Sequence, residues 1–407
     1  MQITCTNGSP IVDTLDHLPP LPLFIDYWYG GWGGINGRDQ DESGIYHTLR
    51  LHGPSRIRHI NLDLPPSILH KVVVLMDKHF SILEHLALSF TATIKNSHPL
   101  TLALPKAFQA PNLRHLTLPS ISPPRRLRFL TSTVSLVTLE LRNIQTSSYF
   151  GPKLLVARLQ SLTQLEELSL EFSIPIPRPS TERELLGVQK TPVTLPSLKT
   201  LSFHGVGAYL ESLVAQIRVP LLERLSIRLF NQIAFVLPHL FYLINITKLF
   251  KLSNARVGFH SSEVCVSTIH DHSSGRTAFS LRVMCNHLDW QVDCAAQICH
   301  ALIPTLSGVE ELTLSRSEVI PTEVRNGGID SATWHDLLRP FIGVQRVYIA
   351  DRFLEELSRA LQADEVGSDP GFIPNLRSIH AGRNLFTSFI DTRQVVVRPV
   401  EFSLVVN

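Results

Sequence analysis

The chain has 407 residues, of which 61 are leucine; the hydrophobic set makes up 44% and the charged residues 18%. That is too apolar for a disordered chain, and 37 Lys+Arg against 35 Asp+Glu leave a formal charge of +2, which excludes a strong field for gathering nucleic acid or anionic lipid. Five cysteines, an odd number spread over the chain, exclude a disulfide framework and point to a reducing compartment.

Residues 1–56 read as an N-terminal capping segment. The opening MQITCTNGSP lacks the basic start and apolar run of a secretory signal, so an intracellular chain, cytoplasmic or nuclear, is expected. Without a secretory route the sequons at Asn7 and Asn245 carry no weight. GGWGGING, residues 30–37, lacks both the G-x-G-x-x-G spacing and a following Lys-Ser/Thr, so it reads as a loop and not a phosphate cradle. Trp28 and Trp32 are expected to cover the open edge of the first repeat, as a terminal cap must.

From Ile57 the pattern L-x-x-L-x-L, with Ile or Val allowed, recurs. It appears as IRHINLDL at Ile57, LEHLALSF at Leu83, LRHLTLPS at Leu113, LVTLELRN at Leu136, LEELSLEF at Leu165, LKTLSFHG at Leu198 and LERLSIRL at Leu222. After a gap it returns as VEELTLSR at Val309, VQRVYIAD at Val344 and LRSIHAGR at Leu376. The last two apolar positions of each copy are two apart and so point to one face of a short strand. Residues 67–80, 154–162, 208–217 and 331–341 carry helical periodicity. A strand, a turn and a helix per unit bury their apolar faces only by stacking, with a curved parallel sheet on the concave side and helices on the convex side. A doubly wound sheet fits less well: its strands are continuous apolar runs, whereas these place His, Ser, Thr, Glu and Arg between their leucines. The fold expected is an α/β leucine-rich-repeat solenoid. The Asn or Cys that ladders through the turn after the last leucine is mostly missing, so loose curvature and uneven convex helices are expected.

Residues 229–247 carry no formal charge but are interrupted by Asn231, Gln232, Pro238, His239 and Asn245, and read as a buried helix with its flanks, not a membrane span. In the gap, RVGFH, VCVSTIH and AFSLRVMC read as three strands of a β-rich insertion, residues 256–287, that continues the sheet; a helix over 288–303 leads into the next repeat. The Pro-rich stretch 173–181 and the acidic stretch 363–371 read as loops. The expected organisation is thus a cap over 1–56, repeats over 57–255, the insertion over 256–287, and repeats with a C-terminal cap over 288–407.

Two constellations hold residue types that could carry chemistry. Cys285, His287, Cys294, Cys299 and His300, with His270 and His272 upstream, lack the spacing of paired zinc ligands; Cys294 and Cys299 lie roughly 140° apart around a helix. No metal or cofactor is expected. Ser261, Ser262, His270, Asp271 and His272 supply the residue types of a triad but no nucleophile elbow, so no catalytic residue is named and no enzyme is expected.

The open sheet face is the more informative feature. Its first column reads His59, His85, His115, Thr138, Glu167, Thr200 and Arg224; its middle column reads Asn61, Ala87, Thr117, Glu140, Ser169, Ser202 and Ser226. The third column reads Asp63, Ser89, Pro119, Arg142, Glu171, His204 and Arg228. Small side chains flanked by charges make a shallow groove suited to a protein or peptide partner. The residues marked out for partner binding are His59, His85, His115, Glu140, Arg142, Glu167, Glu171, Arg224 and Arg228. Arg stands beside Glu in these columns, so no basic stripe, no nucleic acid and no membrane partner are expected. The three histidines share one motif position in successive repeats. They are expected to stack about 4.8 Å apart and to take up protons between about pH 6 and 7, weakening partner affinity.

The repeats, together with FKLSNARVGF, SLRVMCNHLDWQVDCAAQICHALIPTLSGVEELTL and the opening CTNGSPIVDTLDHLPPLPLFIDYW, resemble the repeat half of fungal F-box/leucine-rich-repeat proteins over nearly the whole chain. The resemblance implies a substrate receptor of a cullin-type ubiquitin ligase, whose F-box docks an adaptor while the repeats hold a protein client. The Leu-Pro-x-Glu-like opening of an F-box is not matched: Leu18-Pro19-Pro20-Leu21-Pro22 runs into FIDYWYGGWGG. An adaptor contact is therefore expected only if an F-box lies upstream of Met1. The other reading is a repeat-only scaffold with no ligase link.

Overall fold

The computed structural model describes residues 3–5, 21–28, 45–46, 48–50, 54–90, 102–119, 121–124, 126–173, 191–230, 236–247, 253–269, 277–316, 331–350, 353–354, 357 and 373–382. The chain divides into two compact units. Unit 1 comprises Met1–Gly205 with Ser212–Leu221, and unit 2 comprises Val206–Glu211 with Leu222–Asn407.

In unit 1 the strands are β1 (Ile3–Cys5), β2 (Leu23–Trp28), β3 (Ile57–Asp63), β4 (His85–Ser89), β5 (His115–Leu118), β6 (Thr138–Ile144), β7 (Glu167–Phe172), β8 (Val193–Thr194), β9 (Thr200–Gly205) and β10 (Ile217–Arg218). All but β8 and β10 form one parallel sheet, in the order β1-β2-β3-β4-β5-β6-β7-β9; β8 pairs with β10 separately. The register is that of the motif: Ile60, Leu86, Leu116, Leu139, Leu168 and Leu201 pair in one row, and Leu62 with Leu88 in the next. These side chains are at most 1% exposed. Each contributes about 1.5–3 kcal/mol by burial, so the two rows carry the core. The fold is an α/β leucine-rich-repeat solenoid.

Helices α1 (Pro66–Leu75) and α2 (Pro152–Leu159) connect strands of unit 1, and each starts with a proline in its first turn, where the missing N–H costs nothing. Their buried residues, Leu69, Val72 and Val73 on α1 and Leu155, Val156 and Leu159 on α2, close the core from the side opposite the open face. Helix α1 stops five residues short of the expected end because the chain turns at Met76 and Phe80 donates its N–H to Gln109 across the repeats. A 3-10 turn (Arg128–Thr131) stands between β5 and β6, so the connections are uneven as expected. The edge of the first repeat is covered by the main chain of β2, with β1 beyond it, a pair of strands that the expectation of a tryptophan cap did not contain. Trp32 lies outside the described residues, as do residues 30–37, 174–181 and 363–371.

Polar ties between turns also stand just before the motif, besides the Ser173 hydroxyl that donates to the Ile144 carbonyl after it. The Asn112 amide donates to the Ser81 carbonyl (2.6 Å), the Ser197 hydroxyl to that of Thr163 (2.8 Å) and, in unit 2, the Asn375 amide to that of Ile342 (2.8 Å). Asn112, Ser197 and Asn375 each directly precede the first apolar residue of their motif and tie one turn to the turn before it.

Helix α3 (Gly207–Val214) ends three residues before the expected Ile217, which instead starts β10. In unit 2 the strands are β11 (Arg224–Leu229), β12 (Asn254–Phe259), β13 (Glu263–Ile269), β14 (Thr277–Met284), β15 (Glu311–Arg316), β16 (Arg346–Ala350) and β17 (Ser378–Gly382), in the order β11-β14-β13-β12-β15-β16-β17. The three strands in the gap form an antiparallel meander laid in reverse: β14 pairs parallel with β11, and β12 pairs parallel with β15. Helices α4 (Pro238–Ile246), α5 (Leu288–Ala301), α6 (Ile303–Leu306) and α7 (Ser331–Leu338) pack here. The helix expected over 288–303 breaks at Leu302, because Pro304 has no N–H and its ring crowds the preceding turn. Among the described residues no helix is long and apolar enough to cross a membrane.

Gly308 and Gly343 hold the same motif position in adjacent repeats but differ in the space around them. A Cβ on Gly343 would lie 2.4 Å from the Ser307 carbonyl oxygen, whereas nothing lies within 4 Å of one on Gly308. Gly343→Ala is expected to cost about 1–3 kcal/mol by overpacking and Gly308→Ala less than about 0.5 kcal/mol, as read from urea unfolding midpoints of the two variants.

Candidate functional site

In unit 1 the alternation that buries the leucines leaves the intervening residues on one open face. His59, His85 and His115 face one another across β3, β4 and β5 in direct register. The ring centroids of His59 and His85 are 4.2 Å apart at 11°, and those of His85 and His115 are 5.7 Å apart at 41°. The column extends past both ends of the expected ladder. Phe24 on β2 stacks on His59 at 5.6 Å, and His115 Nδ1 lies 3.2 Å from the Thr138 hydroxyl on β6.

Packing changes the chemistry of these rings. Burial pushes the His85 imidazole down to about 4, with His59 and then His115 adding to the effect and Asp26 opposing it. Burial likewise lowers His59, opposed by Asp26 and reinforced by His115. The window of pH 6–7 expected from exposed imidazoles therefore does not apply to His85, which stays neutral through it, and His59 is shifted in the same direction.

The rest of the face carries carboxylates. Asp26 accepts from the Asn61 amide at 2.9 Å, Glu140 pairs with Arg142 on its own strand, and Glu171 faces His204 Nδ1 at 3.4 Å on β9. Glu167, at the first position of β7, is exposed. Among the described residues the motif columns of unit 1 thus carry the carboxylates Asp26, Asp63, Glu140, Glu167 and Glu171 together with the guanidinium of Arg142. Exposed pairs of this kind contribute about 0–1 kcal/mol each, so they set the character of the surface more than its stability.

Arg224 and Arg228 belong to unit 2, on β11. There the meander adds guanidiniums that the repeat columns do not hold. Strands β14 and β12 bring Arg282 and Arg256 onto the same face as Arg228, because the meander inserts two more parallel strands in register with β11 and β15. Glu263 on β13 answers two of these cations, with Arg228 Nε at 2.9 Å and Arg282 Nη1 at 3.6 Å. Farther along, Arg346 donates from Nε and Nη2 to Glu311 Oε1, and the Tyr348 and His380 rings stack at 5.0 Å. The repeat motif pointed to none of Arg256, Glu263 or Arg282. Their only signal was the alternation inside the three insertion strands, which does not say which strands become neighbours.

Cys285, Cys294 and Cys299 are buried free thiols. Cys285 and Cys294 hydrogen-bond to each other, which lowers the first thiol and raises the second, and burial raises Cys299. The close pair is thus Cys285 with Cys294, reaching from the end of β14 to α5. Among the described residues no group of three or more His, Cys, Asp or Glu side chains is placed to hold a metal ion. His270, Asp271 and His272 lie outside the described residues.

No protein-family model and no curated protein matches the chain. Among solved structures it is similar to TLR13 in a complex with ssRNA13, at 12% identity and a TM-score of 0.33 over 93% of this chain and 45% of that one. It is also similar to the leucine-rich repeat-containing protein LegL7 from Legionella pneumophila, at 12% identity and a TM-score of 0.27 over 94% of this chain and 90% of that one. The chain spans less than half the length of the first. At these values neither likeness bears on the site, and the solenoid is defined by the motif and the parallel register.

The lowered His85 makes stability depend on pH with a definite sign. The folded chain binds its proton only near pH 4, whereas the unfolded chain binds one near 6.5, so stability is fully present above 6.5 and falls as the pH drops through that interval. Urea midpoints measured from pH 7 to pH 4 are expected to fall less steeply for His85→Gln than for the unaltered chain.

Proposed function

We propose that this chain is a non-catalytic protein-binding repeat module whose open sheet faces hold a polypeptide partner. The observation that carries the reading is the unbroken row of solvent-facing side chains in parallel register from β2 to β9, running from the Phe24–His59–His85–His115 stack to the carboxylates of β6 and β7. An extended, shallow, chemically varied surface suits a polypeptide better than a small molecule, which needs a concave pocket to bury most of its area. In this reading His59, His85, His115, Glu140, Arg142, Glu167 and Glu171 line the partner face of unit 1, and Arg224 and Arg228 line that of unit 2.

The resemblance to the repeat half of F-box/leucine-rich-repeat proteins supports a more specific role, the client-holding part of a ubiquitin-ligase receptor inside the cell. Affinity purification of the natural product from its own cells, read by mass spectrometry, tests both levels. Recovery of a cullin adaptor together with a client assigns the ligase role. Recovery of a client with no adaptor assigns a scaffold.

The partner face is tested by substitution. Glu167→Arg, on the open face, is expected to reduce capture of the recovered client at least about tenfold. Val74→Ser, on the exposed side of α1, is expected to leave it unchanged. Equal capture by the two variants would place the partner elsewhere.

A further inference from the structure

Two of the buried thiols of unit 2 meet although they come from different elements. Cys285 follows the last residue of β14, and Cys294 lies within α5. Their side chains hydrogen-bond to each other, so the two sulfurs are in contact. One side of α5 builds that contact. Gln291 and Cys294 stand three residues apart on the helix and therefore share a face of it. The Gln291 amide donates to the Cys285 carbonyl at 2.7 Å and to the His260 carbonyl at 2.8 Å, while Cys294 reaches the Cys285 thiol. The Cys285 N–H donates in turn to the Ser262 carbonyl at 2.8 Å. Main chain and side chain of Cys285 are thus both held against the helix. A disulfide needs its sulfurs about 2.05 Å and its Cβ atoms about 3.8 Å apart. Thiols already in contact between two held elements approach that geometry by turning their side chains.

The pair differs from the other described cysteines. Cys299, farther along α5, is 0% exposed, and burial alone raises its thiol, so it fills the core as a small apolar group. Cys265 is partly exposed, and its Sγ faces a hydroxyl, that of Ser280, at 3.6 Å. Cys285 lies one layer beneath the surface. Asn286 and His287 beside it are exposed, and His287 packs edge-on against Trp290, itself 55% exposed. The contact with Cys294 lowers the Cys285 thiol to about 7 against the opposing effect of burial, with the main chain of His287 assisting. The same contact raises Cys294. Cys285 is therefore in substantial part a thiolate at neutral pH, the form that attacks an electrophile, and a protonated thiol waits in contact with it. A nucleophilic sulfur beside a second sulfur is what a peroxide-sensing pair requires.

We infer that Cys285 and Cys294 form a reversible redox site, at which a peroxide converts the hydrogen-bonded thiols into a disulfide that fastens the end of β14 to α5. The Cys285 thiolate attacks one oxygen of hydrogen peroxide, the O–O bond breaks, and Cys285 becomes a sulfenic acid as hydroxide leaves. The Cys294 sulfur then attacks the Cys285 sulfur. The S–S bond forms, the S–O bond breaks, and the oxygen departs as water with the Cys294 proton. In sum the two thiols give up two electrons and two protons, and the peroxide becomes two molecules of water. Glutathione reverses the change by thiol–disulfide exchange, restoring both thiols and ending as its own disulfide. The site uses none of the residues assigned to the partner faces, so it stands whether or not those faces hold a partner.

The test treats the reduced full chain with a small molar excess of hydrogen peroxide, blocks the remaining thiols with iodoacetamide, and cleaves before Asp289 and Asp293, which separates Cys285 from Cys294. Mass spectrometry is expected to find the two peptides joined and two hydrogens lighter than their sum, and glutathione to return both as free thiols. Cys294 and Cys299 fall on one peptide, so variants assign the bond. Cys299→Ala is expected to keep the link, and Cys285→Ser to lose it. In Cys294→Ala the sulfenic acid on Cys285 has no thiol to resolve it. Its adduct with the diketone dimedone is expected to rise at least about tenfold over the unaltered chain, a gain of signal at a single residue. In the folded chain Cys285 is expected to be consumed at least about tenfold faster than Cys299. The inference is overturned if Cys285 and Cys294 remain thiols while Cys265 is oxidised, if Cys285 links instead to Cys299 or to a second chain, if Cys285 reacts no faster than Cys299, or if Cys294→Ala yields no increase in the adduct.

Discussion

The structure depends on the register of a parallel ladder. In unit 1 the two apolar positions of each motif, spaced by two, are held opposite their counterparts in the neighbouring repeats, so that the buried rows from β3 to β9 are rows of Leu, Ile or Phe. Strand periodicity is two, and a slip of a single residue would turn the leucines to water and His59, His85 and Glu140 into the core. Nothing local prevents that slip. It is prevented by the connecting helices and by the polar ties of Asn112, Ser197 and Asn375, which fix where each turn meets the one before it.

The same register makes surface chemistry collective. A histidine on an isolated strand is an exposed base, but three in one column shield each other, and His85 loses most of its tendency to take a proton. Carboxylates gather on the described face of unit 1, and guanidiniums gather around Glu263 in unit 2. The near-zero net charge of the whole chain therefore averages over faces that bring different charged groups together. Whole-chain charge speaks about long-range fields and is silent on what a single face selects.

The ten motif strands were legible because each carries its own periodic signal, and the His59–His85–His115 column followed from them by counting. Strand β2 was not, since LFIDYW lacks the motif and reveals itself only by pairing with β3. The shortened α1 and the break before Pro304 reflect tertiary contacts and backbone chemistry overriding periodicity. The arginine cluster was illegible for a topological reason. The insertion strands were recognised, but a meander can enter a sheet from either side, and only the reversed order β14-β13-β12 sets Arg282 beside Arg228. For His85 the departure from the expected pH window has a simpler cause: the ordinary imidazole value describes a ring in water, and burial removes the water.

The reversed meander also constrains how such a chain can change. It enters and leaves a sheet whose flanking strands β11 and β15 point the same way, and it does so through up, down and up strokes. Within the meander the pairing alternates, so three strokes leave both flanking pairings parallel, whereas one stroke more or fewer would leave an antiparallel contact at one flank. A further hairpin would therefore lengthen the segment without changing how it meets β11 and β15, whereas a single added strand would change one of those contacts.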